Sequence, residues 1–188
     1  MIRTALALLI TITIFTTTSI AQERDAGLYL KHISDDIKSI ESNPVIISHI
    51  IASNKINRDI SNSEILLKDN QWRRELITNQ YNFINSVLNA DASRELKKIK
   101  NNRGNIYGEI FIMNNKGLTI AMTQPTSDYW QGDEAKWQET FPANGQSFHL
   151  GDVEFDESVQ AFTAQVSAPI KNSARENIGA ITFGILME

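Results

Sequence analysis

The sequence predicts an α+β fold in a single domain, helical over 22–105 and sheet-forming over 106–188. Three observations predict it. Apolar residues recur at helical spacing through the first half and switch to alternation near Ile106. Ser61 and Glu64 stand at capping-box spacing. Asn114-Asn115-Lys116-Gly117 is a turn signal between two β-rich runs. Helices followed by strands is the order of an α+β layer arrangement.

The first residues are not part of that fold. Arg3 supplies a positive n-region and Ala5 to Phe15 (ALALLITITIF) an apolar h-region. Ser19-Ile20-Ala21 supplies the small residues that a signal peptidase reads before Gln22, so 1–21 is expected to be a signal peptide cleaved after Ala21. A retained anchor is the alternative, but the apolar run dissolves into Thr16-Thr17-Thr18-Ser19, short of the roughly 20 residues a span needs.

From Asp25 to Ile40 the residues Ala26, Leu30, Ile33, Ile37 and Ile40 recur in steps of four and three, which predicts a long N-terminal amphipathic helix. The same stripe would serve as the seam of a weak homodimer. Pro44 lacks a backbone donor and restricts Asn43, so a break is expected before VIISHIIASN resumes the helix. After Ser61, the residues Ile65, Leu66, Trp72, Leu76, Phe83 and Val87 keep helical period to about Leu88, and Asp91 is expected to cap a short basic helix, ASRELKKIKNN.

YGEIFIMNN and LTIAMTQ form a hairpin about the Asn114 turn. Phe148 to Val153, Ser158 to Ile170 and IGAITFGILM are three further strands. In the second of these, Phe162, Ala164, Val166 and Ala168 share one face and Gln165 and Ser167 the other. The expectation is a five-stranded antiparallel meander with one short helix inserted, the hairpin and the two C-terminal strands at its centre.

Composition narrows the function. At 188 residues with 41% hydrophobic and 21% charged, the chain can bury a core without staples. Net charge is −4 and the Lys and Arg are spread along the chain, so no nucleic-acid partner is expected. There is no Cys, which removes disulfides, thiol catalysis, cysteine metal sites and a lipoprotein anchor. His32, His49 and His149 are scattered, and no GxSxG, HExxH or Gly-rich phosphate loop appears. An enzyme is therefore not expected, nor a cofactor; paired carboxylates at Asp128 and Asp156 are the one hydrolytic arrangement left to consider.

The stretch TSDYWQGDEAKWQETF, Thr126 to Phe141, holds two of the three Trp among acids. Taken with Lys68-Asp69-Asn70-Gln71-Trp72, EIFIMNNKGLTIAMT, GDVEFDES, VSAPI and IGAITFGI in that order, it resembles the Cache family of extracytoplasmic PAS-like sensor domains, also called PDC domains. The match runs over nearly all of the chain after residue 21, in a single-Cache arrangement. The resemblance implies a long N-terminal helix packed on a roughly five-stranded antiparallel sheet, with a small molecule held between the sheet and a covering loop and helix. It implies no catalysis, and a free-standing periplasmic protein that signals through a separate membrane-bound signalling or transport partner. The alternative is a periplasmic adaptor that binds a protein and no small ligand.

By the same resemblance Tyr129, Trp130 and Trp137 would form the ligand wall, with Asp128 and Asp133 beside them. Trp137 and Phe141, at i and i+4, equally suit a helix anchored to the sheet. Asp133 and Glu134 stand where the inserted helix begins and would cap it. Asp156 occupies the position from which amino-acid-binding relatives hold an ammonium group, so an amine or amino-acid-like ligand is implied. The Arg that holds the ligand carboxylate in those relatives is replaced by Ala135, and the neighbouring Lys136 is read as pointing elsewhere. Asp152, Glu154, Asp156 and Glu157 are hard oxygen ligands that would suit Ca²⁺, without the loop of an EF-hand.

Overall fold

The computed structural model describes residues 31–142, 148–156 and 160–187. By internal contacts the chain divides after Lys38. Of the part before that point, 31–38 are described and are helical. The signal-peptide reading of 1–21 and the stripe positions Ala26 and Leu30 lie outside the described residues.

Helix α1 is described over 31–42, and Asn43 leaves the helical region with ψ 111. Its side-chain oxygen accepts from Val45 N and Ile46 N, while Pro44 takes the first position of α2 (Pro44–Ile56), where its missing N–H costs nothing. Helix α3 (Asn62–Thr78) opens with both arms of the capping box: Glu64 N donates to Ser61 Oγ, and Ser61 N donates to Glu64 Oε2 at 2.9 Å. The run expected to stay helical to Leu88 divides here. Asn79 adopts the left-handed conformation at φ 55, which Asn tolerates, and α4 begins anew at Asn82–Leu88. The buried Glu75 makes the break a fixed feature, because its carboxylate accepts from Phe83 N and Ile84 N at the start of α4. The expected cap at Asp91 is also corrected. Asp91 is the first residue of α5 (Asp91–Asn102), whose N-cap is Ala90 without a side-chain bond, and Asp91 pairs with Arg94.

The second half forms β1 (Tyr107–Asn114), β2 (Thr119–Met122), the short helix α6 (Ala135–Gln138), β3 (His149–Asp156), β4 (Ala161–Lys171) and β5 (Asn177–Met187). All pairs are antiparallel, in the order β2-β1-β5-β4-β3. The sheet is therefore not a meander: β5 enters between β1 and β4, and β2 is an edge and not a central strand. Burial explains the order. From Ile178 to Ile185 every residue of β5 is buried, which requires a partner on both sides, whereas β2 has four residues and covers its open edge with a bond from Thr119 N to Tyr129 O.

Register separates two faces. Ile110, Ile112, Ile181, Phe183, Ala164, Val166 and Ala168 are buried on one, against which α2, α4 and α5 pack. Each large aliphatic buried there contributes roughly 1.5–3 kcal/mol. The other face presents Glu109 and Phe111 from β1, Thr182 and Gly184 from β5, Thr163 and Gln165 from β4, and Glu154 from β3. It is polar at its centre, so whatever covers it must satisfy hydrogen bonds as well as exclude water.

Candidate ligand groove

The covering segment begins after β2, and α3 holds it in place. Asp69, Trp72 and Arg73 lie three and four residues apart and so project together. Asp69 Oδ1 accepts from Tyr129 N at 2.9 Å and Trp130 N at 3.1 Å. Arg73 donates to Asp69 Oδ2 at 2.8 Å and to Asp128 Oδ2 at 2.9 Å, and Trp72 Nε1 donates to Thr126 O. From the other side, Gln131 N donates to Gly117 O at 2.8 Å in the hairpin turn. Gly117 has φ 76, and a Cβ there would lie 2.3 Å from Gly132 Cα. Only glycine permits that turn to touch the loop backbone.

The three aromatics of the expected wall are each anchored. The Tyr129 ring is buried with its centroid 5.6 Å from Trp72 and 4.7 Å from Phe83. Trp130 Nε1 donates to Lys116 O, and Trp137 Nε1 donates to Asn114 O, both at 3.0 Å. Trp137 also stacks on Phe141 at 5.2 Å. None of the three lines either chamber of the groove described next.

That groove lies between the covering segment and the polar sheet face. It has two chambers, of about 650 Å³ and 420 Å³, that share Ser127, Lys136, Glu154, Thr163 and Gln165. Lys136 is the notable correction. Its side chain is 15% exposed and lines both chambers, with Nζ 2.8 Å from Glu134 Oε2 and 5.6 Å from the centre of the Phe111 ring. Because α6 starts at Ala135 and Trp137 is turned to the hairpin, Lys136, one helical step earlier, is turned to the sheet. Glu134 consequently does not cap α6 by its side chain; it pairs with Lys136.

Gln131 and Asp128 finish the inner wall. Gln131 Nε2 donates to both Asp128 O and Asp128 Oδ1. Two acceptors fix which end of the amide faces them, and Gln131 Oε1 is left buried with no partner in a residue that is 1% exposed and lines the smaller chamber. Asp128 is buried, and burial, aided by the negative field of Glu134 and opposed by Arg73, pushes its pKa up to about 6. It faces Arg73 and Gln131 and does not line the groove. Asp133 is exposed and lines neither chamber. On the floor, Gln165 Nε2 donates to Glu109 Oε1, and Gly184 leaves room for the Glu109 chain, since a Cβ there would lie 2.6 Å from Glu109 Cγ.

At the far wall Asp152 lines the larger chamber and Glu154 both. Asp156 pairs through its backbone with Ala161, and its side chain, like Glu157, lies outside the described residues. Among the described residues no group of His, Asp and Glu is arranged to hold a metal ion. The structure thus brings Lys136, Gln131, Gln165, Thr163 and Glu154 to one groove. Of these, the alternation along β4 marked Gln165 as facing away from the core.

No family model matches the chain, and no curated protein matches it. Solved structures do. The Escherichia coli DcuS sensor domain is similar at 11% identity and TM-score 0.47, over 86% of this chain and 90% of that one. The ligand-binding domain of the Pseudomonas aeruginosa amino-acid chemoreceptor PctC, in complex with GABA, is similar at 14% identity and TM-score 0.42, over 53% of this chain and 44% of that one. The sensory domain of the Campylobacter jejuni chemoreceptor Tlp3 with isoleucine bound is similar at 11% identity and TM-score 0.38, over 84% and 62%. The chain thus spans less than two thirds of the length of the two chemoreceptor domains. By their names these neighbours are sensor or ligand-binding domains. At such values the likeness says nothing about individual residues of the groove.

Proposed function

We propose that this protein is an extracytoplasmic sensor module that binds a small charged molecule in the groove between the sheet and the segment 123–138, without chemistry on it, and passes occupancy to a separate membrane-bound partner. The observation that carries the reading is a largely buried lysine, Lys136, that lines both chambers of one polar groove together with Thr163, Gln165 and Glu154. A charged group largely withdrawn from water yet lining a polar groove is the kind of convergent group that orients a small charged ligand. The leader-like residues 1–21 support export. In this reading Asp128, Tyr129, Trp130 and Trp137 serve the ligand by holding the wall, Asp133 adds to the field around Arg73, and Asp156 remains the proposed ammonium contact at the end of β3. One buried charge pair and a few hydrogen bonds supply micromolar affinity, about 8 kcal/mol.

A thermal-shift screen of the purified protein against amino acids, amines, carboxylates and divalent cations tests this. A ligand at 100 times its Kd stabilises by about 2.7 kcal/mol, so at least one organic class should raise Tm. Stabilisation by divalent cations alone would move the assignment to a metal site.

The adaptor reading has its own observation. Leu150, Val153, Phe155 and Phe162 lie on one face of β3 and β4, and all are more than half exposed. Silence across the screen, with binding to a purified membrane sensor domain, would establish that reading instead.

A further inference from the structure

Resting on the sensor reading, we propose that Glu134 sets the specificity of the groove, as a tethered counter-ion on Lys136 that an anionic group of the ligand has to displace. The Lys136 side chain lines both chambers, and its Nζ meets Glu134 Oε2 at 2.8 Å and lies 5.6 Å from the centre of the Phe111 ring. An ammonium group so far withdrawn from water needs an opposite charge close by, and Glu134 supplies it.

The way Glu134 does so sets it apart from an ordinary helix cap. It stands at the N-cap of α6 in an extended conformation, with φ −99 and ψ 148, and its backbone oxygen accepts from Trp137 N and Gln138 N. Residues two apart within a helix do not face each other, so it is this extended backbone that lets the carboxylate reach Lys136. The side chain caps nothing; it lines the larger chamber and is 35% exposed. With its backbone pinned and its carboxylate partly open to water, Glu134 can swing away from Nζ without undoing α6.

A ligand anion arriving at Lys136 therefore exchanges one ion pair for another, and only the difference between the two counts toward affinity. That exchange discriminates by charge. A neutral molecule does not displace the carboxylate, and a cation meets Nζ as a like charge.

Isothermal titration of the wild type, Glu134→Gln and Lys136→Met with butyrate, succinate and n-butylamine at one ionic strength tests the inference. Glu134→Gln keeps the shape and removes the competing charge, so it should tighten the carboxylates about fivefold or more and leave n-butylamine no tighter. Glu134→Ala should do the same. Lys136→Met should abolish carboxylate binding, and combining it with Glu134→Gln should erase the gain, which a purely structural role of Glu134 would not produce. Carboxylates that stay silent or bind no tighter in both Glu134 variants, with circular dichroism like that of the wild type, would overturn the proposal. So would binding of n-butylamine that is lost in Glu134→Gln, since Glu134 would then itself hold the ligand. Both results leave the sensor reading standing. If neither the wild type nor Glu134→Gln binds any organic compound of the wider screen, the sensor reading falls and this inference with it.

Discussion

The two walls of the groove are built on opposite terms. In the inner wall, Thr126, Asp128, Tyr129 and Gln131 are buried, and the backbone of the segment is bonded to Asp69, Trp72, Thr119 and Gly117. In the outer wall β3 is an edge strand that pairs with β4 among the described residues; Leu150 is 70% and Phe155 51% exposed, and Asp152 and Glu154 are exposed too. The difference teaches where the free energy of folding is placed. The inner wall is fixed by its own bonds, so under the proposed function binding there would cost little ordering, whereas the outer wall is exposed and charged.

The largest expected effect breaks the inner wall at its root. Trp72 is fully buried, touches Phe83 and Tyr129, and carries the bond to Thr126 O. Trp72→Ala should cost about 3–5 kcal/mol in urea denaturation and abolish ligand binding. Asp69→Ala comes next, because it strands two backbone N–H groups and leaves Arg73 with one partner. A loss of roughly 2–4 kcal/mol is expected. A change under 1 kcal/mol at Asp69 would mean that the loop is held by the hairpin and not by α3.

How much of this the sequence shows depends on the range of the interaction. The capping box at Ser61, the Asn43-Pro44 break and the Asn114 turn are legible because each is complete within a few residues. The sheet order is not, because nothing local in IGAITFGILM says that β1 and β4 are its neighbours. The site divides in the same way. The cluster of Trp and Tyr among acids marks the covering segment, yet Tyr129 and Asp69 meet across 60 residues of chain and the Nε1 of Trp130 finds a carbonyl at Lys116. The direction of Lys136 is not legible for a narrower reason: the start of a four-residue helix sets it, and one residue of phase is about 100°. The Asp69 and Arg73 pair, at i and i+4 beside Trp72, was a readable signal for the clamp.

Titration sharpens the comparison with a smaller effect. Asp128 in the inner wall has its pKa raised from 3.8 to about 6. A carboxyl raised in the folded state is held protonated there while the unfolded chain still ionises, so its penalty is absent below about pH 4 and grows as pH rises through 6. From pH 7.5 down to 4.5 the wild type should therefore gain roughly 1–2 kcal/mol relative to Asp128→Asn, read as the difference in slope between two urea series. Equal slopes would show that Arg73 compensates the charge in full.

The smallest expected effect lies on the outer wall and tests whether it is unfinished. Phe155 and Phe162 meet edge to face at 5.4 Å at the β3 edge, where Phe155 also borders the smaller chamber, and both residues remain more than half exposed. An exposed aromatic pair contributes about 0.5–1.5 kcal/mol beyond its area when intact, and surface changes usually stay within about 0.5 kcal/mol. Phe162→Ser should thus shift the urea midpoint by the equivalent of 1 kcal/mol or less, with the slope of the transition unchanged because little area is covered in the free protein. If this face is instead where a partner protein docks, the same substitution would weaken that complex far more than it weakens the fold, since half-exposed aromatics become anchors only when a partner removes their water. A loss of several kcal/mol in the isolated protein would show that the face is already covered, and that the two walls differ less than their exposure implies.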